Sequence, residues 1–245
     1  MYRLDENHAA DAELRIDLTP ERKPSGPRVV SAPRPWADEL SGLCELEVPD
    51  ERFVRLYDSA VRTLSLLTAG EVVPGPYTYR RFWFRDAAMM LHAMLCIAHT
   101  DRVRRVLDGF GDRQRVDGYF YSQDGEWDSN GEALWILHRY CELTGAEPPE
   151  DWRRPVTGAA RWIHRKRCAA RGEGLHAGLM PAGFSAEHLG NNDYYYWDDF
   201  WSAAGLRAAA ALCRRWQRAD RAAEFDAEAG DLLSAVDRSL ERSEH

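Results

Sequence analysis

Asp198 and Asp199 follow directly on Tyr194-Tyr195-Tyr196-Trp197. A carboxyl set against that many rings can be pushed to hold or give up a proton near neutral pH. Two other stretches repeat the theme. Trp83 leads into Phe84, Arg85 and Asp86, and Trp127 leads into Asp128, with Asp117, Asp124 and Glu126 just upstream and Glu187 further along the chain. Rings beside acids and an arginine suit a ligand with flat apolar faces and a rim of hydroxyls. A sugar is such a ligand, because rings take its C–H faces while carboxylates and Arg bind its hydroxyls. The same residues also admit plainer readings: a ring-rich lid, a pair of first-turn acids at a helix start, and a local Arg85–Asp86 ion pair. A helix dipole lowers the pKa of a first-turn acid, whereas burial and a neighbouring acid raise it.

These residues act together only if the chain brings three segments to one place. From Pro49 onward the pattern is helical. Asp50 is positioned to cap a helix whose apolar face is Phe53, Leu56, Tyr57, Ala60, Val61, Leu64 and Leu67, stopping at Gly70. Six more helices are expected, from about Asp86 to Ala98, Thr100 to Phe110, Ser129 to Leu143, Pro155 to Ala170, Asp198 to Trp216 and Asp220 to Leu240. Ser129-x-x-Glu132 reads as a capping box. No strand pattern separates the helices, so the fold class is all-α.

Connections alternate in length, the long ones being Gly70–Arg85, Gly111–Asp128 and Arg171–Trp197. In consecutive antiparallel helices every second link emerges at the same end, so these three loops are expected to meet on one face. They hold 14 of the chain's 27 aromatic residues, which predicts rings converging on a single cavity. The second and sixth helices are apolar nearly all round and the fourth leans the same way with more polarity, while the third and fifth carry many arginines. That contrast predicts an inner row inside an outer layer.

The 245-residue chain is 44% hydrophobic and 29% charged, enough to bury a substantial core. A net charge of −8 argues against nucleic acid as a partner. No run approaches the roughly 18 apolar residues that a membrane span requires, and no secretory signal opens the chain. Five scattered cysteines fit packed thiols in a reducing cytoplasm. The histidines and cysteines show no metal-ligand spacing, so no metal or other cofactor is expected. Residues 1–48 differ from the rest. Leu14–Leu18 alternates like a short strand and five prolines follow from Pro20 to Pro35, an extended arm or the remnant of a preceding domain ahead of a helical domain at 49–245.

Three motifs now carry a resemblance. Trp83-Phe84-Arg85-Asp86 resembles the W-x-R-D element of glucoamylase-like six-hairpin glycoside hydrolases. Asp128-Ser129-Asn130-Gly131-Glu132-Ala133-Leu134 is similar to their D-G-x-A-L segment, and Tyr196-Trp197-Asp198-Asp199 to their L-W-E-E segment. Order and placement at helix starts agree across about residues 49 to 217. The resemblance implies Asp198 as general acid, with Asp199, Arg85 and Asp86 holding sugar hydroxyls. Trp83 and Trp197 become stacking walls, and Trp127, Asp128 and Tyr196 complete the substrate-binding set. Asp replaces the family's Glu at 198 and 199, which blurs the subfamily.

The implied architecture is a toroid of six α/α hairpins. About seven helices are legible here, whereas twelve with such loops need well over roughly 300 residues at about 11–12 per helix. The toroid is therefore expected to be incomplete, as a piece of a longer enzyme or as a body that another chain segment completes. Exposed inner helices would favour self-association. The expected function is inverting acid/base hydrolysis of an α-linked glucoside or related glycan, with the catalytic base missing from this chain. A non-catalytic glycan-binding module and a purely structural barrel fragment are the other readings. A phosphorylase has no Gly-rich phosphate cradle here.

Overall fold

The computed structural model describes residues 35–168, 174–185 and 191–243. The Leu14–Leu18 segment, the first four of the five prolines and Glu187 lie outside those residues. The chain divides into two parts, 1–39 and 40–245. Of the first, a short helix α1 (Trp36–Glu39) is described. The second starts ahead of Pro49 because Cys44 is tied to the helices: its N–H donates to the Ile97 carbonyl at 3.0 Å, and its carbonyl accepts the Tyr57 hydroxyl at 2.5 Å.

This second part is all-α among the described residues, with isolated bridges at Gln114–Phe120 and Gly183–Asp193. Its helices are α2 (Glu51–Leu67), α3 (Phe84–Cys96), α4 (Thr100–Asp108), α5 (Ser129–Thr144), α6 (Arg153–Lys166), α7 (Tyr196–Arg215) and α8 (Ala219–Ser243). Single 3-10 turns stand at Phe110–Arg113 and Glu150–Trp152. No helix among the described residues is long and apolar enough to cross a membrane. All five cysteines are free thiols.

The apolar helices do form a row. α5 packs between α3 and α7, α4 touches α3 and α5, α6 touches α5 and α7, and α8 lies along α7. α3 buries Phe84, Ala87, Ala88, Leu91, Met94 and Leu95, and α7 buries a run of small residues from Ala203 to Ala210. Burying each large aliphatic chain stabilises the fold by about 1.5–3 kcal/mol. Glycine lets α5 and α7 approach backbone to backbone. A Cβ on Gly131 would lie 2.1 Å from the Trp201 carbonyl oxygen, and one on Gly205 would lie 2.5 Å from Gly131 Cα. The outer α4 turns one arginine inward: buried Arg102 donates to the Ser65 carbonyl at 2.6 Å, linking α4 to α2.

Two local expectations are corrected. Asp50 caps α2, accepting from Arg52 N–H at 2.9 Å, but the expected apolar face is largely open. Val61 and Ser65 are the buried residues of α2, while Phe53 and Leu56 are exposed, because among the described residues the contacts of α2 with α3 and with Arg102 of α4 are few and the buried positions lie in its C-terminal half. The Ser129–Glu132 capping box does not form. Asp128 is the N-cap residue of α5, the Ser129 hydroxyl donates to the Glu126 carbonyl at 3.3 Å, and the Glu132 carboxyl is turned into the interior.

Candidate functional site

The long loops meet as the alternation of link lengths predicts. Phe84 N–H, opening α3, donates to the Ser122 hydroxyl at 2.8 Å, and Arg81 donates to the Ser122 carbonyl at 2.8 Å. On the other side, Phe184 N–H donates to the Gly125 carbonyl at 2.9 Å. Gly125 is required there, since it has φ +94° and a Cβ would lie 2.8 Å from Phe184.

These loop contacts bring the N-termini of α3, α5 and α7 together around one buried carboxylate. Asp128 Oδ2 accepts from Arg85 Nε at 2.7 Å, and Arg85 Nη2 lies at the same distance. The same oxygen accepts from Trp197 Nε1 at 2.7 Å. The Arg85 guanidinium also stands 5.5 Å from the centre of the Trp197 ring. Asp128 is buried, so the carboxylate has exchanged water for three charge-assisted or ring N–H donors.

Around this hub sit acids that keep their protons. Asp198 is buried, and its ionisation is pushed up to about 8, first by burial and then by the charges of Asp128 and Asp199, with Arg85 opposing. Among the described residues Asp198 Oδ2 has no hydrogen-bond partner, nor has the Ser202 hydroxyl one turn further along α7. Glu132, fully buried one turn into α5, is raised well above the usual carboxylate range by burial and by Asp128. Arg85 stands 3.9 Å from it, and neither carboxyl oxygen has a hydrogen-bond partner among the described residues. Asp199, the next residue on α7, faces another way: it accepts from Met180 N–H at 2.7 Å. Burial pushes it to about 7 despite that bond and the Arg167 charge.

The structure thus gathers Arg85, Asp128, Trp197 and Asp198, with Asp86 half-buried beside Arg85 in the first turn of α3. Trp83 is half-buried, with Arg81 4.1 Å above its ring and Tyr79 tilted against it at 6.1 Å. Besides Asp199, two of the expected site residues have their polar contacts elsewhere. The Tyr196 hydroxyl bonds the Ser239 hydroxyl of α8 at 2.8 Å. Trp127 donates to the Ala182 carbonyl, stands 5.9 Å from Trp162 of α6 and is covered by Lys166.

The fourteen loop rings do not converge on one cavity. Phe82, Phe84 and Phe120 join Phe110 in an edge-to-face core cluster, and Tyr119 stacks on Trp162 at 4.5 Å. Tyr194 stacks on His176 at 3.6 Å. The reason is packing: rings at the roots of long loops are the apolar mass that seals helix ends. A separate run of rings extends from the hub, Trp197 to Trp201 at 5.8 Å, Trp201 to Trp135 at 5.4 Å and Trp135 to His92 at 5.1 Å.

Glu132, Glu126 and Ser202 belong to the cluster; Glu126 is among the ring-flanking acids of the sequence, whereas Glu132 and Ser202 are not singled out for it. Glu132 stands four residues after Asp128 in the otherwise apolar EALWIL stretch, and Ser202 four after Asp198, a spacing that puts each pair on one helix face. No group of His, Cys, Asp and Glu among the described residues is arranged to hold a metal ion. Comparison with protein-family models, with curated proteins and with solved structures finds no match to this chain.

Proposed function

We propose that the converging N-termini of α3, α5 and α7 form the acid side of a glycoside hydrolase-like site acting on an α-linked glucoside or related glycan. The observation that carries this reading is Asp198: a buried acid that stays protonated up to about pH 8, which is the state a proton donor needs at neutral pH. Asp198 gives its proton to the glycosidic oxygen as the bond to the anomeric carbon breaks and its electron pair stays on that oxygen. Water then adds to the opposite face and passes a proton to a base, which in an inverting reaction lies about 6.5–9.5 Å from the acid. This chain's residues are assigned the acid half alone.

Trp197, which is 45% exposed, offers a ring face beside the acid, and Trp83, with Arg81 over its ring, is the second proposed stacking wall. Arg85 and Asp86 are the groups proposed to hold hydroxyls, while Asp199 is taken up by the Met180 N–H. The alternating inner and outer helices support reading the body as part of an (α/α) six-hairpin toroid, and five free thiols support a cytoplasmic setting.

The test pairs calorimetry with a hydrolysis assay over a panel of α-glucosides, including maltose-like and trehalose-like sugars. Saturable binding is expected, and Asp198→Asn should keep it while lowering any turnover by about 10²–10⁴-fold. Binding without turnover in the unaltered chain would make this a glycan-binding module instead. If no sugar of the panel binds, the reading is lost.

A further inference from the structure

A second site stands apart from the carboxylate cluster, where the N-terminal turns of α6 meet the turn from α7 into α8. A cleft of about 490 Å³ there is lined by Arg153, Arg154, Arg161, Arg218 and Arg221, with Thr157, Gly158, Cys213 and Asp220 between them. Five arginines and one acid, Asp220, line it, in a chain whose net charge is −8. Two of the five are engaged, Arg153 with Glu150 at 2.6 Å and Arg221 with Glu224 at 2.5 Å. Arg154, Arg161 and Arg218 have neither an ion pair nor a side-chain hydrogen bond among the described residues. All three are exposed.

An acidic protein has ample carboxylates to neutralise a surface arginine, so three left unpaired around one concavity are notable for their placement. Like charges gathered in this way repel, and a bound anion would relieve that repulsion. Arg154 and Arg161 are seven residues apart on α6, two turns and about 10.5 Å along the axis, on one face. Thr157 and Gly158 fill the turn between them, contributing a hydroxyl donor and no bulk. Arg218 closes the cleft from the α7–α8 side. The first turns of α6 and α8 both line it, so their positive dipole ends add to the same potential. The neighbouring cleft around Arg115 and Arg165 shares Arg154, Gly158 and Arg161 with this one, and it differs in its other walls. There Arg115 pairs with Asp124 at 3.3 Å, Arg165 donates to the Asp117 carbonyl, and Asp117 and Asp151 line the wall.

We propose that Arg154, Arg161 and Arg218 form a binding site for a small phosphate-bearing anion, of the size and charge of a diphosphate. The guanidinium fork matches two phosphate oxygens at once, which a point charge does not, and three forks around a small cleft suit adjacent phosphate groups better than a lone carboxylate. The site is independent of the sugar chemistry assigned to Asp198, since none of its residues belongs to that cluster.

Calorimetric titration of the full chain with inorganic pyrophosphate, at low and at raised ionic strength, tests this directly. One saturable site is expected, weakening as salt rises. The triple variant Arg154→Gln, Arg161→Gln, Arg218→Gln should lose at least about 100-fold in affinity, given three charge-assisted contacts. Arg207→Gln, an exposed cation on α7 away from the cleft, should leave the affinity unchanged. Because the substituted residues are exposed and their mutual repulsion is removed, the variant without ligand should melt no lower than the parent, and only the parent's melting temperature should rise with pyrophosphate. Adenosine diphosphate is the second probe: tighter binding than pyrophosphate identifies a nucleotide-borne diphosphate, weaker binding the free anion. No saturable heat with either probe, or equal affinity in the triple variant, overturns the proposal.

Discussion

Asp128 holds the N-termini of three helices with one oxygen, and its charge also helps to keep a proton on Asp198. These two roles separate on substitution. Asp128→Ala leaves Arg85 without its main partner, at a cost of about 3 kcal/mol or somewhat less, because Arg85 keeps some contact with water. Asp128→Asn keeps the shape but removes a negative charge near Asp198 and frees the Arg85 charge to act on it. Both changes favour ionised Asp198, so its midpoint should drop below about 8. Carboxyl-carbon NMR titration of Asp198 in the two proteins checks this, and an unchanged or higher midpoint would show that burial alone sets the value.

At the level of helices, the decisive contact is the glycine crossing of α5 and α7. Gly131→Ala puts a methyl group 2.1 Å from the Trp201 carbonyl oxygen, and the two backbones must separate. A loss of about 2–3 kcal/mol or more is expected in chemical denaturation, the range of overpacked cores. Gly230, exposed in α8 with nothing within 4 Å of a built Cβ, is the control, and Gly230→Ala should add about 0.5–1 kcal/mol. This crossing also marks where sequence reading reaches its limit. Apolar periodicity places seven of the helices within a few residues, and the alternation of link lengths puts the loops at one end, because both follow from local spacing. Gly131 and Gly205 stand 74 positions apart, and nothing local says that they face each other. The same holds for Glu132. S-x-x-E is a capping pattern by local rules, yet a buried Arg85–Asp128 pair 43 residues apart in sequence surrounds this carboxyl and outweighs the cap. The aromatic rings were over-assigned for a related reason: ring-rich loops look alike in sequence whether they floor a pocket or seal a helix end.

For the molecule as a whole, the buried acids make stability depend on pH in a direction that can be worked out. Asp198 and Asp199 hold protons in the folded chain up to about pH 8 and about pH 7, whereas the unfolded chain releases them near 3.8. Glu132 is displaced the same way. Wherever the folded state binds more protons than the unfolded one, stability falls as pH rises. The stability linked to these acids is fully present below about pH 4, declines through neutrality and levels off once the folded acids ionise. His92 and His138, lowered by burial, act in the opposite sense around 6.5, but both keep contact with solvent and weigh less. The melting temperature should therefore be higher at about pH 5 than at about pH 8.5, by an amount on the order of a few kcal/mol in stability. Asp198→Asn, which keeps the shape and removes the titrating proton, should flatten that slope and melt higher than the parent on the alkaline side. A parent protein whose melting temperature does not change between those two pH values would mean that the cluster is open to water and that Asp198 is no proton reservoir at neutral pH.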